Sequence, residues 1–322
     1  EESVNLARQF RQSGFNDSFF EEAAFPYHVD FFRHLIISKD ILQNILSEHK
    51  DRVVLLFPRS YYFYRTHEHY LNWHRDLINL DVFDSMLKHF IGLSSMRSQY
   101  LCEVNFWGRL KGKLRVLKIV YEHAKKCLHH TSKQNAFSVH CKTDILFTEW
   151  GLDFERHMSF MDIDRAKQYE NLHISHIAWT QTGYENAKNP VYYLEYAYPS
   201  LIEYGMFLIR AILPRVFFIW KGVKKKELAH PYIFSNRFLR YNFTRFFLTV
   251  YLHVFMIRRY FKSLLNALQP SLIVTSDADE IFERTLILLA KDGGIKTIST
   301  NHGLYNCPVL KDYYLADNIA VW

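Results

Sequence analysis

Residues 270–303 read PSLIVTSDADEIFERTLILLAKDGGIKTISTNHG, and their pattern is the clearest indication of the fold class in this sequence. The apolar run Ser271–Thr275 ends in acidic residues, which is typical of a buried strand that leads into a loop. Apolar residues at helical spacing then extend over about 280–291, before a Gly-Gly pair that terminates the helix. Ile295–Thr300 is then the next predicted strand. The stretch therefore predicts one strand–helix–strand unit.

In such a unit the two strands are parallel and the crossover is right-handed, so both strands end at the same edge of the sheet. Polar residues follow each strand at that edge. They are Asp277, Asp279 and Glu280 after the first strand, and Asn301, His302 and Gly303 after the second. The sequence thus predicts that an acidic cluster and an imidazole share one rim.

This rim has the composition of an acid–base site. His302 can exchange a proton near neutral pH, and Asp277 can orient its ring or raise its basicity. Gly303 lets a phosphate or sugar approach the backbone closely. The alternative is structural: Asp277 or Asp279 caps the helix, and His302-Gly303 forms a turn. The residues alone leave both interpretations open.

Polar side chains also follow two earlier apolar runs, at 142–148 and 174–180. We expect them to hydrogen-bond and stack on a sugar, because ligands bind at strand ends of open parallel sheets. An ordinary polar turn is the alternative in each case. These substrate-binding candidates are Glu149, Trp150, Tyr184 and Glu185.

The remaining pattern predicts an α/β protein with a Rossmann-like open parallel sheet, helices on both faces and helical insertions. Arg52–Pro58 is a further strand candidate, and the regions 1–50, 70–130 and 200–265 have mainly helical spacing. The basic stretch near Lys221 is the best internal boundary. We expect an α/β region with helical insertions over 1–225, and a continuation of the same sheet over 226–322.

Composition excludes several classes of function. With 49% hydrophobic residues the chain is a folded protein. A net charge of +7 favours anionic partners, but no nucleic-acid-binding motif is present, so no nucleic-acid partner is expected. The four cysteines form no CxxC pair, and the histidines form no HExxH motif, so we expect no metal site. Neither GxGxxG nor GxxxxGK[ST] occurs, and we predict no bound cofactor.

Two apolar stretches are candidates for contact with a membrane. Tyr204–Trp220 and Phe243–Leu265 each contain basic residues that disfavour a membrane span. An apolar, aromatic face with basic flanks also suits the surface of a membrane. We favour buried helices, because amphipathic helices usually face a core.

The pattern Pro270 to Asp277, Arg284, Ala290, Gly294 to Thr297, His302-Gly303, Ala316-Asp317 and Val321-Trp322 resembles the end of the amino-terminal domain of GT-B-type glycosyltransferases. The similar enzymes make bacterial surface carbohydrates such as capsules, and include glycerophosphotransferases of teichoic-acid synthesis. The resemblance covers about a fifth of the chain.

The resemblance implies that His302 contacts or deprotonates the acceptor, that Gly303 shapes the loop, and that Asp277 and Glu280 are rim carboxylates. It implies a nucleotide-activated sugar donor and a carbohydrate or lipid-linked acceptor. We expect the protein to lie in the cytoplasm, where it contacts the acidic inner face of the cytoplasmic membrane.

Two features of the sequence bear on this interpretation. The chain stops where a carboxyl-terminal donor domain would begin, so we expect that domain to be absent. Asp277-Ala278-Asp279 spells DxD, which binds a metal in the other major glycosyltransferase fold, but helix capping or polar contacts are favoured here. A non-catalytic α/β binding module and a nucleotide-sugar epimerase-like enzyme remain the alternatives.

Overall fold

A computed structural model of the protein describes most of the second half of the chain. The continuous ranges are 142–148, 172–178, 190–194, 198–221, 237–275, 281–301 and 315–321. Scattered residues within 4–48 and 117–128 are also described, and all of these are helical. The strand predicted at Arg52–Pro58 lies outside the described residues.

The described elements alternate between strands and helices. The strands are β1 (Ile145–Thr148), β2 (Ile174–Ala178), β3 (Val191–Tyr193), β4 (Leu272–Thr275), β5 (Lys296–Asn301) and β6 (Asn318–Val321). The helices are α1 (Leu201–Phe207), α2 (Leu213–Lys221), α3 (Arg237–Leu268) and α4 (Ile281–Asp292), with a π-helical turn at Leu208–Ile212 between α1 and α2. The predicted unit of strand, helix and strand is therefore β4-α4-β5.

All six strands form one parallel sheet in the order β3-β2-β1-β4-β5-β6. The sheet takes strands from both sides of the boundary that we expected near position 225. The apolar run at 319–322 includes most of β6, which pairs with β5. The predicted α/β class with an open parallel sheet is confirmed; the hand of the crossovers stays a prediction.

One face of the three central strands β1, β4 and β5 is buried. Leu146, Ile273 and Thr297 lie at the same level of three neighbouring strands, and none of them is exposed to solvent. Residues on the other face, such as Phe147 and Val274, are only partly buried. α4 contacts β4 and β5, and its Phe282 packs on Phe261 of α3 with ring centroids 4.9 Å apart.

α3 is the longest described helix, with 32 residues and a length of about 48 Å. A buried apolar stripe runs along its second half at alternating three- and four-residue steps. This stripe comprises Val250, Val254, Ile257, Phe261, Leu264 and Leu268. The helix ends at Leu268. The next residue, Gln269, has a φ of 46°, and its N–H donates to Leu265 O at 2.9 Å, while Pro270 prevents continuation of the helix.

α4 ends in a Schellman motif. The Ile295 N–H donates to Ala290 O at 2.8 Å, and the Gly294 N–H donates to Lys291 O at 3.1 Å. Gly294 has a φ of 69°, which favours glycine. The predicted terminator is thus confirmed, and it turns the chain directly into β5.

α1 begins with a capping box. The Ser200 hydroxyl accepts from the Glu203 N–H at 3.3 Å, and the Glu203 carboxylate accepts from the Ser200 N–H at 3.0 Å. Arg259 of α3 adds two contacts to the same carboxylate, each at 3.0 Å. The helix that follows has a π-helical turn just before Pro214, which lacks the N–H that a regular helix would use.

The chain divides into two compact units. The first comprises 1–21, 27–123 and 206–251, and the second comprises 22–26, 124–205 and 252–322. The whole sheet lies in the second unit. None of the described helices has a stretch long and apolar enough to cross a membrane.

Candidate functional site

The carboxyl edge of the sheet is the candidate site, because parallel strands all end there. β4 ends at Thr275 and β5 ends at Asn301, and the two strands are hydrogen-bonded neighbours in which Thr275 is level with Ser299. Neighbouring strands of a sheet lie about 4.8 Å apart. The two chain segments that leave these strands therefore start from adjacent points on one edge.

The predicted site residues follow these strand ends in sequence. Asn301 is the last residue of β5, and its backbone is level with Val321 of β6. His302 is the next residue, and Asp277 comes two residues after Thr275. His302, Asp277 and all remaining candidates lie outside the described residues. The remaining candidates are Gly303, Asp279, Glu280, Glu149, Trp150, Tyr184 and Glu185.

The strand order selects one position along this edge. From β1 the chain proceeds to β2 and β3 on one side, and β4, β5 and β6 lie on the other side. Open parallel sheets bind ligands outside the strand ends where the order reverses, because the connections diverge there and leave a crevice. The reversal here lies between β1 and β4. Glu149 follows β1 and Asp277 follows β4, so two of the predicted groups belong to segments that flank this point.

Hydroxyl residues occupy the level of the sheet at which β1 and β4 end. Thr275 and Ser299 are paired in register, and Thr148 follows Phe147, which is level with Val274, so Thr148 lies beside Thr275. All three hydroxyl residues are buried. Among the described residues, the Thr275 and Ser299 hydroxyls have no hydrogen-bond partner. Buried hydroxyls are normally paired, so this level has polar capacity that the strands do not use.

The sequence interpretation missed this row of hydroxyls. A signal was present, because threonine and serine occur within the two strand sequences, LIVT and KTISTN. The Thr300 hydroxyl also donates to Thr275 O at 3.1 Å, which ties β5 to the end of β4.

The first turn of α4 adds two buried charged residues next to the same edge. Glu283 and Arg284 are both fully buried. The Arg284 guanidinium donates to Glu22 O at 2.8 Å and 3.2 Å, and one of its nitrogens lies 3.5 Å from a Glu22 carboxylate oxygen. Arg284 therefore anchors the turn that directly follows Asp279-Glu280 in sequence, and its role in the structure is to position this turn.

At the opposite, amino edge of the sheet, Asp144 and His173 clamp β1 to β2. The Asp144 carboxylate accepts from the His173 N–H at 2.9 Å and lies 3.3 Å from the imidazole Nδ1, while the Asp144 N–H donates to His173 O at 2.7 Å. The bond from the His173 backbone holds the pKa of Asp144 below its ordinary value, and the imidazole adds to this effect. Thr143 and Ser175 form a buried hydroxyl pair beside it, at 2.9 Å.

A second clamp of the same kind joins β5 to β6. The Asp317 carboxylate accepts from the Thr297 N–H at 2.9 Å and from its hydroxyl at 3.0 Å, and that hydroxyl accepts from the Asp317 N–H at 3.0 Å. The Thr297 backbone bond lowers the pKa of Asp317. Asp317 belongs to the pattern that resembles the glycosyltransferases, and the structure gives it this structural role.

Other perturbed groups among the described residues also have structural causes. Burial raises the pKa of the Cys127 thiol to about 11, so it stays protonated and is a poor nucleophile at neutral pH. Burial also raises the pKa of Tyr204. For Glu203 burial raises the pKa, but the hydrogen bonds from Ser200 and the Arg259 charge outweigh it, and the net pKa is lowered.

The described residues contain no group of three or more His, Cys, Asp or Glu side chains that could hold a metal ion. In comparisons with protein-family models, curated proteins and solved structures, nothing matches this chain. The geometry of the sheet edge is therefore the basis on which a function is inferred.

Proposed function

We propose that the protein is a glycosyltransferase-like enzyme of the GT-B type, with a Rossmann-like sheet that carries helices on both faces. It transfers a sugar, or a glycerophosphoryl group, from a nucleotide-activated donor to a carbohydrate or lipid-linked acceptor during surface-polysaccharide assembly. The reaction takes place in the cytoplasm.

One observation carries the proposal: the strands that precede Asp277 and His302 are parallel, adjacent and in register. Segments that are about 25 residues apart in sequence thus leave the sheet from neighbouring points. A carboxylate and an imidazole that share one rim can act as an acid–base pair.

The strand order gives further support. Among the described strands, the order β3-β2-β1-β4-β5-β6 matches that of doubly wound nucleotide-binding sheets, whose ligand crevice lies at the reversal of strand order, here between β1 and β4. The residues after β1, which begin with Glu149 and Trp150, then contribute to the same crevice as those after β4. Trp150 offers a face on which a sugar ring stacks, and Glu149 offers a hydrogen-bond acceptor.

The chemistry follows from these groups. His302 removes the proton from the acceptor hydroxyl as its oxygen attacks the activated carbon or phosphorus of the donor, and the bond to the departing nucleotide phosphate breaks. Asp277 orients the imidazole and stabilises its protonated form. The backbone N–H of Gly303 and the first N–H groups of α4 are suited to the departing phosphate charge.

The test compares two histidine variants. His302→Ala is expected to lower kcat by about 10²-fold or more, because general-base catalysis contributes that amount. His173→Ala is the matched control, since His173 lies at the amino edge with 71% of its side chain exposed. The control is expected to retain activity within about twofold.

Activity is measured by mass spectrometry with UDP-, GDP- and CDP-activated donors and a lipid extract as the acceptor, and circular dichroism checks the fold. Unchanged turnover in a folded His302→Ala variant would contradict the assignment. A donor that raises the melting temperature without yielding product would support the binding-module alternative. An isomerised nucleotide sugar would support the epimerase-like one.

A further inference from the structure

The helical segment 206–217 exposes an apolar stripe. Met206, Ile209, Leu213 and Phe217 follow each other at steps of three or four residues, so they lie on one side of the helix. Their exposed fractions are 39%, 62%, 57% and 57%. We call this set the 206–217 stripe. Most large apolar side chains in a folded protein are buried, so a row of four exposed ones at helical spacing indicates an interaction surface.

The same segment is anchored by its other side. Phe207 contacts Phe20, with ring centroids 5.8 Å apart, and Ile212 is buried. Phe20 in turn stacks on Tyr251 at 5.6 Å. The helix thus uses one side to pack within its own unit, and this packing leaves the 206–217 stripe exposed.

Basic residues accompany the stripe. Arg210 is exposed and lies one residue beyond Ile209, and α2 ends at Lys221. Lys221 also begins the sequence KGVKKK, which contains three further lysines. The segment 206–217 itself contains no acidic residue. The stripe therefore has one exposed arginine beside it, and the sequence that directly follows α2 is rich in lysine.

We propose that the 206–217 stripe docks on an anionic lipid surface. Apolar side chains of an interfacial helix enter the boundary between headgroups and acyl chains, while its basic residues contact acidic headgroups. A second copy of this chain is a poorer occupant, because it would bring a second Arg210 to the same interface and offers no acidic residue in this segment to pair with it. The proposal does not depend on the transferase activity.

The experiment measures cosedimentation of the whole protein with vesicles. Phosphatidylcholine vesicles are compared with vesicles that also contain phosphatidylglycerol, at low and high salt. The protein is expected to bind the anionic vesicles and to lose binding at high salt. The double variant Ile209→Ser/Phe217→Ser is expected to bind at least about tenfold more weakly. Arg210→Gln is expected to reduce binding by about fivefold.

Leu128→Ser is the matched control, since Leu128 is an apolar helical residue with 61% exposure outside the stripe. It is expected to bind like the wild-type protein. Melting curves should coincide for all variants, because each substitution changes an exposed side chain. Unfolding of the double variant would show that the stripe contributes to the packing of the protein, and this result would overturn the proposal.

Three further results would also overturn it. One is the absence of any preference for anionic vesicles. Another is an equal loss of binding in Leu128→Ser. The last is a dimer in analytical ultracentrifugation that the double variant dissociates, since a second copy would then cover the stripe.

Discussion

Replacing Arg284 with methionine tests how the first turn of α4 is held in place. Arg284 is fully buried, and its guanidinium donates twice to the backbone carbonyl of Glu22, at 2.8 Å and 3.2 Å. The Glu22 carboxylate is more distant, at 3.5 Å, and is partly exposed. The geometry therefore indicates that the carbonyl, and not the carboxylate, is the important acceptor.

The expected magnitude follows from these contacts. Methionine keeps the apolar stem but cannot donate the two hydrogen bonds that the Glu22 carbonyl accepts from Arg284. Losing a hydrogen bond to a charged group costs about 1.5–3 kcal/mol, and a buried acceptor left unsatisfied adds to the loss. We expect Arg284→Met to lower the free energy of unfolding by about 3 kcal/mol. Glu22→Gln keeps the carbonyl, and we expect it to cost less than about 1 kcal/mol.

Urea unfolding followed by far-ultraviolet circular dichroism measures both changes. Arg284→Lys is a useful third variant, since it keeps the charge but lacks the planar fork, and it should give an intermediate loss. A Glu22→Gln loss as large as that of Arg284→Met would refute the reasoning, because it would make the carboxylate the dominant partner. A neutral Arg284→Met would show that burying the charge costs as much as its hydrogen bonds contribute.

Three further substitutions test the backbone conformation at two positions and the titration of Asp317. Gly294→Ala should destabilise by about 1 kcal/mol, because φ is 69° while a new Cβ would meet nothing within 4 Å. Gln269→Gly should stabilise by up to about 1 kcal/mol, because it relieves a non-glycine residue at φ 46°. Urea midpoints check both, and equal signs would contradict the argument. Folding lowers the pKa of Asp317, so its contribution is present at neutral pH and is lost as pH falls below about 4. Asp317→Asn should therefore lose less unfolding free energy than the wild type between neutral pH and about pH 3, as measured by urea titrations at both pH values. An equal loss in the two proteins would exclude the clamp with Thr297 as the source of this pH dependence.

The unit β4-α4-β5 could be predicted from sequence nearly residue by residue. The strand expected at 271–275 forms over Leu272–Thr275, and the helix expected over about 280–291 forms over Ile281–Asp292. Local signals decide these boundaries: a proline before the strand, glycines after the helix and an apolar run in each element. Such signals act within a few residues, so one sequence is enough to read them.

Features that depend on distant contacts could not be predicted in this way. β3 has only three residues, and its place at the edge follows from pairing with β2. The helix expected to be buried at 204–220 is buried at Ile212 but exposes Ile209 and Phe217. Helical spacing marks which residues share a side, but it does not reveal whether that side meets a core or solvent. Arg284 stood out in the sequence through a family pattern, whereas its buried contact with Glu22 spans 262 positions.

The candidate site was predictable as a place but not as a set of contacts. Parallel pairing of β4 and β5 was expected from the Gly-Gly connection and the apolar runs, and the structure confirms it. The position of the reversal between β1 and β4 could not be predicted, because it follows from the order of the six described strands in the sheet. The roles of His302 and Asp277 stay predictions.

The two edges of the sheet differ in how their polar groups are used, and this difference favours the carboxyl edge as the site of function. At the amino edge, the carboxylates of Asp144 and Asp317 accept hydrogen bonds from the neighbouring strand, and these bonds lower their pKa values. A carboxylate that holds strands together cannot move away to serve a ligand without loosening the sheet. At the carboxyl edge, the Thr275 and Ser299 hydroxyls find no partner among the described residues. Substitutions at the amino edge should therefore change stability more than activity, and substitutions after β4 and β5 should do the reverse.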